Sequence, residues 1–147
     1  MKPIDEKTIK IRPMASSDVE PMLAIWWAEI PEKEKVASQL EGPLDMSFIA
    51  EHEGILVGLL LAKLEYTGYP MTSDVVIYLM AVNPEYRRHG IGSLMIKALV
   101  KRCKSKKIVI VRSLIPANDT AMINYFKNAG FHPSDIVNYD LDEFTGV

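Results

Sequence analysis

With 147 residues, 48% of them apolar, and a formal net charge of −2, the chain is predicted to form a single folded domain over residues 1–147 rather than a disordered chain. The near-neutral charge argues against nucleic-acid binding through bulk charge, the single cysteine excludes an intrachain disulfide, and no apolar run reaches the length of a membrane span. We therefore expect a cytoplasmic protein with no nucleic-acid or membrane partner.

The first third of the chain predicts a strand followed by one or two helices. Thr8 to Arg12 alternates polar and apolar residues, as a short strand does. One of the serines at 16 and 17 then caps a helix, with Glu20 at capping-box distance from the second serine. Apolar residues at helical spacing continue from Val19 to Ile30, and residues 32–40 are compatible with a second short helix.

The middle of the chain predicts a hairpin, a buried strand and a long helix. Residues 47–52 and 55–65 flank the turn dipeptide Glu53-Gly54, which is typical of an antiparallel hairpin. Residues 74–82 form an apolar run of strand length. A helix from about Gly90 to Ser105 then places its apolar residues on one face.

The last part of the chain predicts two further strands around a helix. Residues 108–114 form one strand, Asn118 caps a helix that reaches about residue 129, and Gly130 stands where a left-handed terminator belongs. Residues 136–141 predict the last strand. The resulting order, β-αα-βββ-α-β-α-β, indicates an α/β (α+β) fold with a mixed central sheet and helices on both faces.

Residues 82–92, with the sequence V-N-P-E-Y-R-R-H-G-I-G, predict a pyrophosphate site. A strand stops at Asn83, and Gly90 and Gly92 open the following helix. Glycines let a backbone approach a phosphate closely, the free N–H groups of the first helical turn point at it, and the helix dipole adds partial positive charge. Arg87 and Arg88 supply full charges beside those amides.

This element order and one motif resemble the GNAT superfamily of N-acetyltransferases. The motif is Val82-x-Pro84-x-x-Arg87-x-x-Gly90-x-Gly92, and it lies between a strand and a helix as it does in that family. A second block with the family's usual spacing comprises Asn118, Ala121, Tyr125 and Gly130-Phe131. The resemblance extends over about residues 8 to 142.

The resemblance implies acetyl-CoA as co-substrate and a fourth strand that splays from its neighbour to bind the pantetheine arm. An amide near Ala81 and Val82 would polarise the thioester carbonyl, Asn118 would contact the pantetheine arm, and Tyr125 would protonate the departing thiolate. The implied cofactor-binding residues are Ala81, Val82, Arg87, Arg88, His89, Gly90, Ile91, Gly92, Ser93, Asn118 and Tyr125. For the His89 side chain we expect exposure to solvent.

The chain departs from the family at the position of the general base. Many members carry a glutamate four residues before the equivalent of Val82, and here that position is Tyr78. Asp74 lies about 13 Å further along the same strand, too far for direct proton transfer. Other elements offer candidates that the sequence does not place: Glu29, His52, Glu65 and His132. No base is assigned.

Several residues allow both a functional and a packing interpretation. Trp26, Trp27 and Tyr78 are predicted acceptor-pocket residues, but the two tryptophans also extend an apolar stripe, so at least one of them is expected to pack in the core. Tyr125 likewise lies on the apolar side of its helix. Arg112, inside an apolar strand, either pairs with a carboxylate or faces the acceptor. The histidines lack metal-ligand spacing, so no metal is predicted.

The predicted function is an N-acetyltransferase that moves the acetyl group of acetyl-CoA to a primary amine by direct attack in a ternary complex. The expected acceptor is a small molecule or an α-amine. Two alternatives stay open: a CoA-binding module without turnover, favoured by the missing carboxylate, and acetylation of a protein N-terminus. The apolar segment 55–64 allows a homodimer that pairs across a sheet edge.

Overall fold

The structure, a computed structural model, describes residues 4–25, 27, 43–66, 69 and 73–144. They belong to two compact units, Met1–Leu114, here called the sheet unit, and Ile115–Val147, here called the C-terminal unit. The single domain over residues 1–147 stays a prediction. Within the described part of the chain, no helix combines the length and the apolar character needed to cross a membrane.

The described residues form five strands and three α-helices. The strands are β1 (Ile9–Pro13), β2 (Phe48–His52), β3 (Ile55–Tyr66), β4 (Ser73–Val82) and β5 (Val111–Ser113). The helices are α1 (Val19–Leu23), α2 (Ile91–Ser105) and α3 (Thr120–Asn128). Single 3₁₀ turns cover Glu6–Thr8, Ser16–Asp18 and Pro84–Tyr86. The second predicted helix, at 32–40, lies outside the described residues.

The five strands form one mixed sheet in the order β1-β2-β3-β4-β5. The first four strands pair antiparallel, and β4 pairs with β5 in parallel. The central strand β3 is buried at every residue from 57 to 62 rather than at alternate residues. Continuous burial of this kind requires cover on both faces of the sheet.

The two faces of β3 carry different helices. Leu59 and Leu61 belong to a buried cluster against which residues of α1 pack. Gly58, the residue directly before Leu59, faces the side chains of Ile91 and Met95 on α2. Since neighbouring residues of a strand point to opposite faces, α1 and α2 lie on opposite sides of the sheet. The predicted mixed sheet with helices on both faces is confirmed.

The hairpin between β2 and β3 closes with the predicted dipeptide. Glu53 has φ 52° and Gly54 has φ 79°, so both central residues of the turn are left-handed. Consecutive left-handed residues give a two-residue hairpin turn whose twist matches that of the strands. His52 consequently pairs with Ile55, as predicted from the sequence.

Arg12 of β1 links the start of α1 to the sheet through hydrogen bonds to two carboxylates. Two nitrogens of the Arg12 guanidinium each donate to Asp18 at 2.7 Å, and one of them also donates to Glu51 at 2.8 Å. These bonds from Arg12 lower the pKa of the Asp18 carboxyl below its usual value. The backbone N–H of Ala15 donates to the same carboxylate at 2.7 Å.

The capping predicted from Ser17 and Glu20 is therefore wrong. Neither serine is a cap: Ala15 precedes the 3₁₀ turn, and its N–H donates to the carboxylate of Asp18, which Arg12 of β1 holds in place. The predicted helix is also longer than the helix that the structure describes, since α1 ends at Leu23. Residues 26 and 28–42 lie outside the described part of the chain.

Near the C-terminus the structure contradicts one predicted strand and shortens another. β5 covers only residues 111–113 instead of 108–114. Residues 136–141 form no strand with any described residue, so the predicted last strand is wrong. The alternation of apolar residues there is real, but Val137, Tyr139 and Leu141 are all exposed. A strand requires a hydrogen-bonded neighbour as well as an alternating sequence.

In the C-terminal unit, α3 has well-formed caps at both ends. Its N-cap is Asp119, whose side chain accepts a hydrogen bond from the N–H of Met122, and not Asn118 as predicted. At the other end Gly130 has φ 97°, and the N–H of Phe131 donates to the carbonyl of Phe126 at 2.9 Å. The rings of Phe126 and Phe131 lie 4.9 Å apart, which completes a Schellman motif with its apolar contact.

A candidate cofactor cradle and strand opening

The parallel ladder between β4 and β5 is short, and β4 continues beyond it. Val75, Val76 and Ile77 pair with residues 111 to 113 of β5. The five following residues of β4, Tyr78 to Val82, have no partner on that side among the described residues. The two strands therefore separate after Ile77, and the outward-facing N–H and C=O groups of residues 78–82 face the opening.

A β-bulge lies where the strands separate. Leu61 pairs with Leu79 and Ala62 pairs with Ile77, so Tyr78 is the extra residue on β4. A bulge bends a strand and increases its local twist. The bend explains why β4 leaves β5 at this residue.

The segment between β4 and α2 forms a compact turn that is held by backbone and side-chain hydrogen bonds. The side chain of Asn83 accepts a hydrogen bond from the N–H of Glu85 at 3.0 Å, and its carbonyl accepts one from the N–H of Tyr86 at 2.8 Å. The N–H of Asn83 donates to the carbonyl of Val57 at 2.8 Å, which ties the turn to β3. Nε of Arg87 donates to the carbonyl of Val82 at 3.3 Å.

The amides that begin α2 lie at the residues for which the sequence predicts the cradle. Arg88 has φ 67° and Gly90 has φ 75°, and this left-handed pair turns the chain into the helix. The first helical hydrogen bond runs from the N–H of Leu94 to the carbonyl of Gly90. The N–H groups of the preceding residues, 91–93, have no acceptor within the described part of the chain, and no side chain caps them. They are available to an anion, with two exposed arginines beside them.

Near the cradle, the sequence prediction is wrong for one side chain and misses another. The side chain of His89 is only partly exposed, and its Nε2 is buried without a hydrogen-bond partner among the described residues, so the expected solvent exposure is wrong. A carboxylate also approaches the cradle, since Oε1 of Glu6 lies 3.3 Å from where a Cβ at Gly90 would stand. No sequence signal identifies Glu6, because it is more than 80 residues away from Gly90 along the chain.

The glycine of β3 allows α2 to lie close to the sheet beside the cradle. A Cβ at Gly58 would lie 3.1 Å from Cγ2 of Ile91, 3.2 Å from Cβ of Ala50 and 3.3 Å from Cε of Met95. Gly58 is also the register partner of Val82, the last residue of β4. The close contact therefore fixes the first turn of α2 relative to the end of β4.

The structure places the candidate proton acceptors as follows. Asp74 is 2% exposed and accepts a hydrogen bond from Nε of Arg112 at 2.7 Å, so the carboxylate-pairing alternative for Arg112 is confirmed. His52 Nδ1 lies 3.2 Å from the hydroxyl of Tyr86. His132 belongs to the C-terminal unit, where its Nδ1 donates to the carbonyl of Pro133. Glu29 lies outside the described residues.

Glu65 contacts Tyr78, the residue at the position where many family members carry the glutamate base. The hydroxyl of Tyr78 donates to Oε1 of Glu65 across the β3–β4 pair. Partial burial, together with the hydrogen bond to Glu65 and its charge, raises the pKa of Tyr78 to about 12, so the phenol stays protonated at neutral pH. Sequence spacing alone could not show this contact, because it depends on the bulge.

The remaining predicted site residues lie on other elements. Trp27 packs against the buried cluster on the α1 face, which confirms the packing interpretation for one tryptophan, and Trp26 lies outside the described residues. Asn118 and Tyr125 belong to the C-terminal unit. There Asn118 is exposed in the turn before α3, and the ring of Tyr125 meets the ring of Phe126 edge-on at 5.5 Å.

No group of three or more metal-ligating side chains occurs among the residues that the structure describes. The single cysteine, Cys103, is buried on α2, and burial raises the pKa of its thiol. The candidate site is therefore built from backbone amides, two arginines and the polar side chains of β3 and β4.

Comparison with known proteins identifies the family of this fold. Residues 14–131 match the family model described as the acetyltransferase (GNAT) family. No curated protein is significantly similar to the chain in sequence.

Solved structures of several acetyltransferases share the fold. The structure of AAC(6′)-Iy with the bisubstrate analogue CoA-S-monomethyl-acetylneamine has a TM-score of 0.74 and 19% identity, covering 92% of this chain and 98% of that one. The aminoglycoside acetyltransferase meta-AAC0020, from an uncultured soil metagenomic sample, has a TM-score of 0.72 and 20% identity, covering 94% and 98%. The ribosomal-protein-S18-alanine N-acetyltransferase from Escherichia coli has a TM-score of 0.70 and 17% identity, covering 86% and 79%.

Proposed function

The chain belongs to the GNAT family of acetyltransferases, and we propose that it transfers the acetyl group of acetyl-CoA directly to a primary amine in a ternary complex. The proposed acceptor is an α-amine or another weakly basic nitrogen of a small molecule. The observation that carries the proposal is that two features follow each other along the chain. The edge of β4 at residues 78–82, unpaired among the described residues, is joined by one compact turn to the free amides at the start of α2.

This continuity fits the shape of acetyl-CoA. The amides of residues 91–93 and the charges of Arg87 and Arg88 would hold the pyrophosphate. The free edge of β4 would pair with the amide groups of the pantetheine arm, as an added strand would. An amide near Ala81 and Val82 would then point at the thioester carbonyl and stabilise the oxyanion that forms there.

In the proposed reaction, the lone pair of the amine attacks the carbonyl carbon of the thioester. The carbon–sulfur bond then breaks, the amine nitrogen loses a proton to solvent, and the thiolate of CoA gains one from the hydroxyl of Tyr125. A phenol with an ordinary pKa of about 10 is protonated at neutral pH and can donate to a thiolate whose conjugate acid has a pKa of about 8.5. Asn118 is proposed to contact the pantetheine arm.

The preference for a weakly basic amine follows from the absence of a carboxylate at position 78. A lysine amine with a pKa of about 10.4 is neutral in about one molecule in 2,500 at pH 7, a handicap of about 4.6 kcal/mol. An α-amine with a pKa of about 7.7 to 8.0 loses only about 1 to 1.4 kcal/mol. A site without a strong base therefore suits the α-amine better.

Two measurements test the proposal. Calorimetry with CoA should show binding, and a thiol-detecting dye should report CoA release from acetyl-CoA with some member of an amine panel. Tyr125→Phe should lower kcat while leaving CoA binding in place. Faster turnover of a lysine side chain in a peptide than of every α-amine would contradict the proposed acceptor.

The same experiment separates the alternatives. Binding of CoA without thiol release from any amine would support a binding module, which the tyrosine at position 78 favours. Turnover restricted to the N-termini of folded proteins would indicate a protein acetyltransferase. No heat of binding with millimolar CoA would overturn the proposal altogether.

A further inference from the structure

Tyr78 stands at the strand opening, and its hydroxyl contacts Glu65, which is itself partly exposed. Tyr78 is the extra residue of the bulge and the first residue of β4 beyond the ladder with β5. It is 45% exposed, and its hydroxyl donates to one carboxylate oxygen of Glu65. The tyrosine thereby fixes the orientation of the carboxylate and leaves the second oxygen available.

No cation among the described residues forms an ion pair with Glu65. Its cross-strand partner Asp74, in contrast, is paired with Arg112 at 2.7 Å. Lys63, two residues earlier on β3, already takes part in an interaction of its own. A half-buried carboxylate without a cation favours a ligand that brings one.

Glu65 lies too far along the sheet to take a proton from the reacting amine. The amide proposed to polarise the thioester is near Ala81, which pairs with Leu59, six residues before Glu65. Six residues of a strand span about 20 Å between Cα atoms. The length of the Glu65 side chain reduces the distance between its carboxylate and the reacting amine to roughly 10–15 Å. Direct proton transfer needs a separation of about 3 Å.

We propose that Glu65, held by the hydroxyl of Tyr78, binds a second cationic group of the acceptor, roughly 10–15 Å from the amine that receives the acetyl group. The proposal rests on the proposed function, which supplies the position of the reacting amine. The acceptors it selects are amines with a distant positive charge, and a guanidinium would make the strongest contact because it pairs with a carboxylate through two hydrogen bonds. Tyr78 is a positioning residue in this arrangement.

Short peptides provide matched acceptors for the test. Gly-Gly-Arg amide and Gly-Gly-citrulline amide present the same α-amine and nearly the same shape, but only the first carries a distant positive charge. The guanidinium itself is not acetylated. Shorter pairs, Gly-Arg and Arg amides with their citrulline counterparts, reduce the distance between the two groups by about 3.5 Å for each residue removed.

The measured quantity is the ratio of kcat/KM for the arginine peptide to that for the citrulline peptide. In the unmodified protein we expect a ratio of about ten or more for the longest pair, with a smaller ratio for the shortest. Glu65→Gln should bring the ratio close to one, and Tyr78→Phe should reduce it about threefold, because the carboxylate loses its orientation but not its charge. Glu53→Gln, which removes the same charge from the hairpin turn, is the matched control and should keep the full ratio.

A ratio near one in the unmodified protein, or a ratio that Glu65→Gln does not change, would overturn the proposal. If no amine of the panel, these peptides included, releases thiol, the proposed function fails, and calorimetry of the two peptides with the CoA-bound protein still decides the present question. Tighter binding of the arginine peptide that is lost in Glu65→Gln would support the cation site. Equal binding of both peptides would exclude it.

Discussion

Gly58 and Ile91 are in such close contact that a methyl group on the glycine would lie 3.1 Å from the isoleucine side chain. Gly58 belongs to β3, and Ile91 is the first residue of α2. The amides proposed to bind the pyrophosphate thus start from a residue that packs directly on the sheet.

Gly58→Ala should therefore impair cofactor binding as well as stability. The added methyl displaces Ile91 and meets the Cβ of Ala50, which the neighbouring strand holds in place. We expect a loss of about 1–3 kcal/mol in the free energy of unfolding and a several-fold increase in the KM for acetyl-CoA. Urea unfolding and steady-state kinetics measure the two effects.

Gly54→Ala is the matched control for that substitution. It introduces strain at φ 79° but brings the methyl within 4 Å of no heavy atom of the described residues apart from its chain neighbours, so it should cost about 1–2 kcal/mol without changing the KM. An equal increase in KM for both variants would show that the contact with Ile91 does not position the cradle.

Removing the charge of Glu6 should strengthen cofactor binding. Its carboxylate lies beside Gly90, where it would repel a bound pyrophosphate. Since Glu6 is exposed, the expected decrease in the dissociation constant of acetyl-CoA for Glu6→Gln is about two- to fivefold at low salt and smaller at high salt. Calorimetry at two ionic strengths measures it, with Glu53→Gln as a charge control; weaker binding by Glu6→Gln would contradict the expected repulsion.

The ion pair between Asp74 and Arg112 should be asymmetric in its contribution to stability. The side chain of Asp74 is 3% exposed and that of Arg112 is 17% exposed. Arg112→Met leaves a buried carboxylate without this cation and should cost about 3–5 kcal/mol of unfolding free energy. Asp74→Asn keeps a hydrogen-bond acceptor and should cost less. Chemical denaturation of both variants tests the order, and the reverse order would show that the arginine, not the aspartate, dominates.

Tyr78 should make the stability of the protein depend on pH in alkaline solution. Its pKa is about 12 in the folded protein against 10.0 for an unperturbed tyrosine, so the folded state holds the proton longer. The stabilisation is complete below pH 10 and is lost as the pH rises toward about 12. The difference in unfolding free energy between the unmodified protein and Tyr78→Phe should shrink over this interval. A difference that stays constant would mean that neither burial nor the contact with Glu65 raises the pKa of the phenol.

Local signals in the sequence predicted most of the fold. The hairpin follows from Glu53-Gly54, whose left-handed conformations need no distant partner, and the start of α2 follows from Gly90 for the same reason. The end of β4 at Asn83-Pro84 was equally visible. These features also located the predicted cradle, since its amides belong to consecutive residues.

Features that depend on distant partners were not predictable from the same signals. The carboxylate of Asp18 accepts from the N–H of Ala15 because Arg12 of β1 holds it there, and Glu65 contacts Tyr78 because a bulge shifts the register. Residues 136–141 alternate like a strand but have no ladder partner among the described residues. In each case the outcome depends on whether a segment distant along the chain supplies a partner, and spacing in the sequence does not show this.

The separation of β4 from β5 has a consequence for handling the protein. On the β5 side, the backbone donors and acceptors of residues 78–82 have no strand partner among the described residues, like the edge of an open sheet, and such edges recruit strands from other molecules. A pantetheine arm lying there would cover these groups and block that route to self-association. CoA added during purification should consequently act as a solubilising agent as well as a ligand.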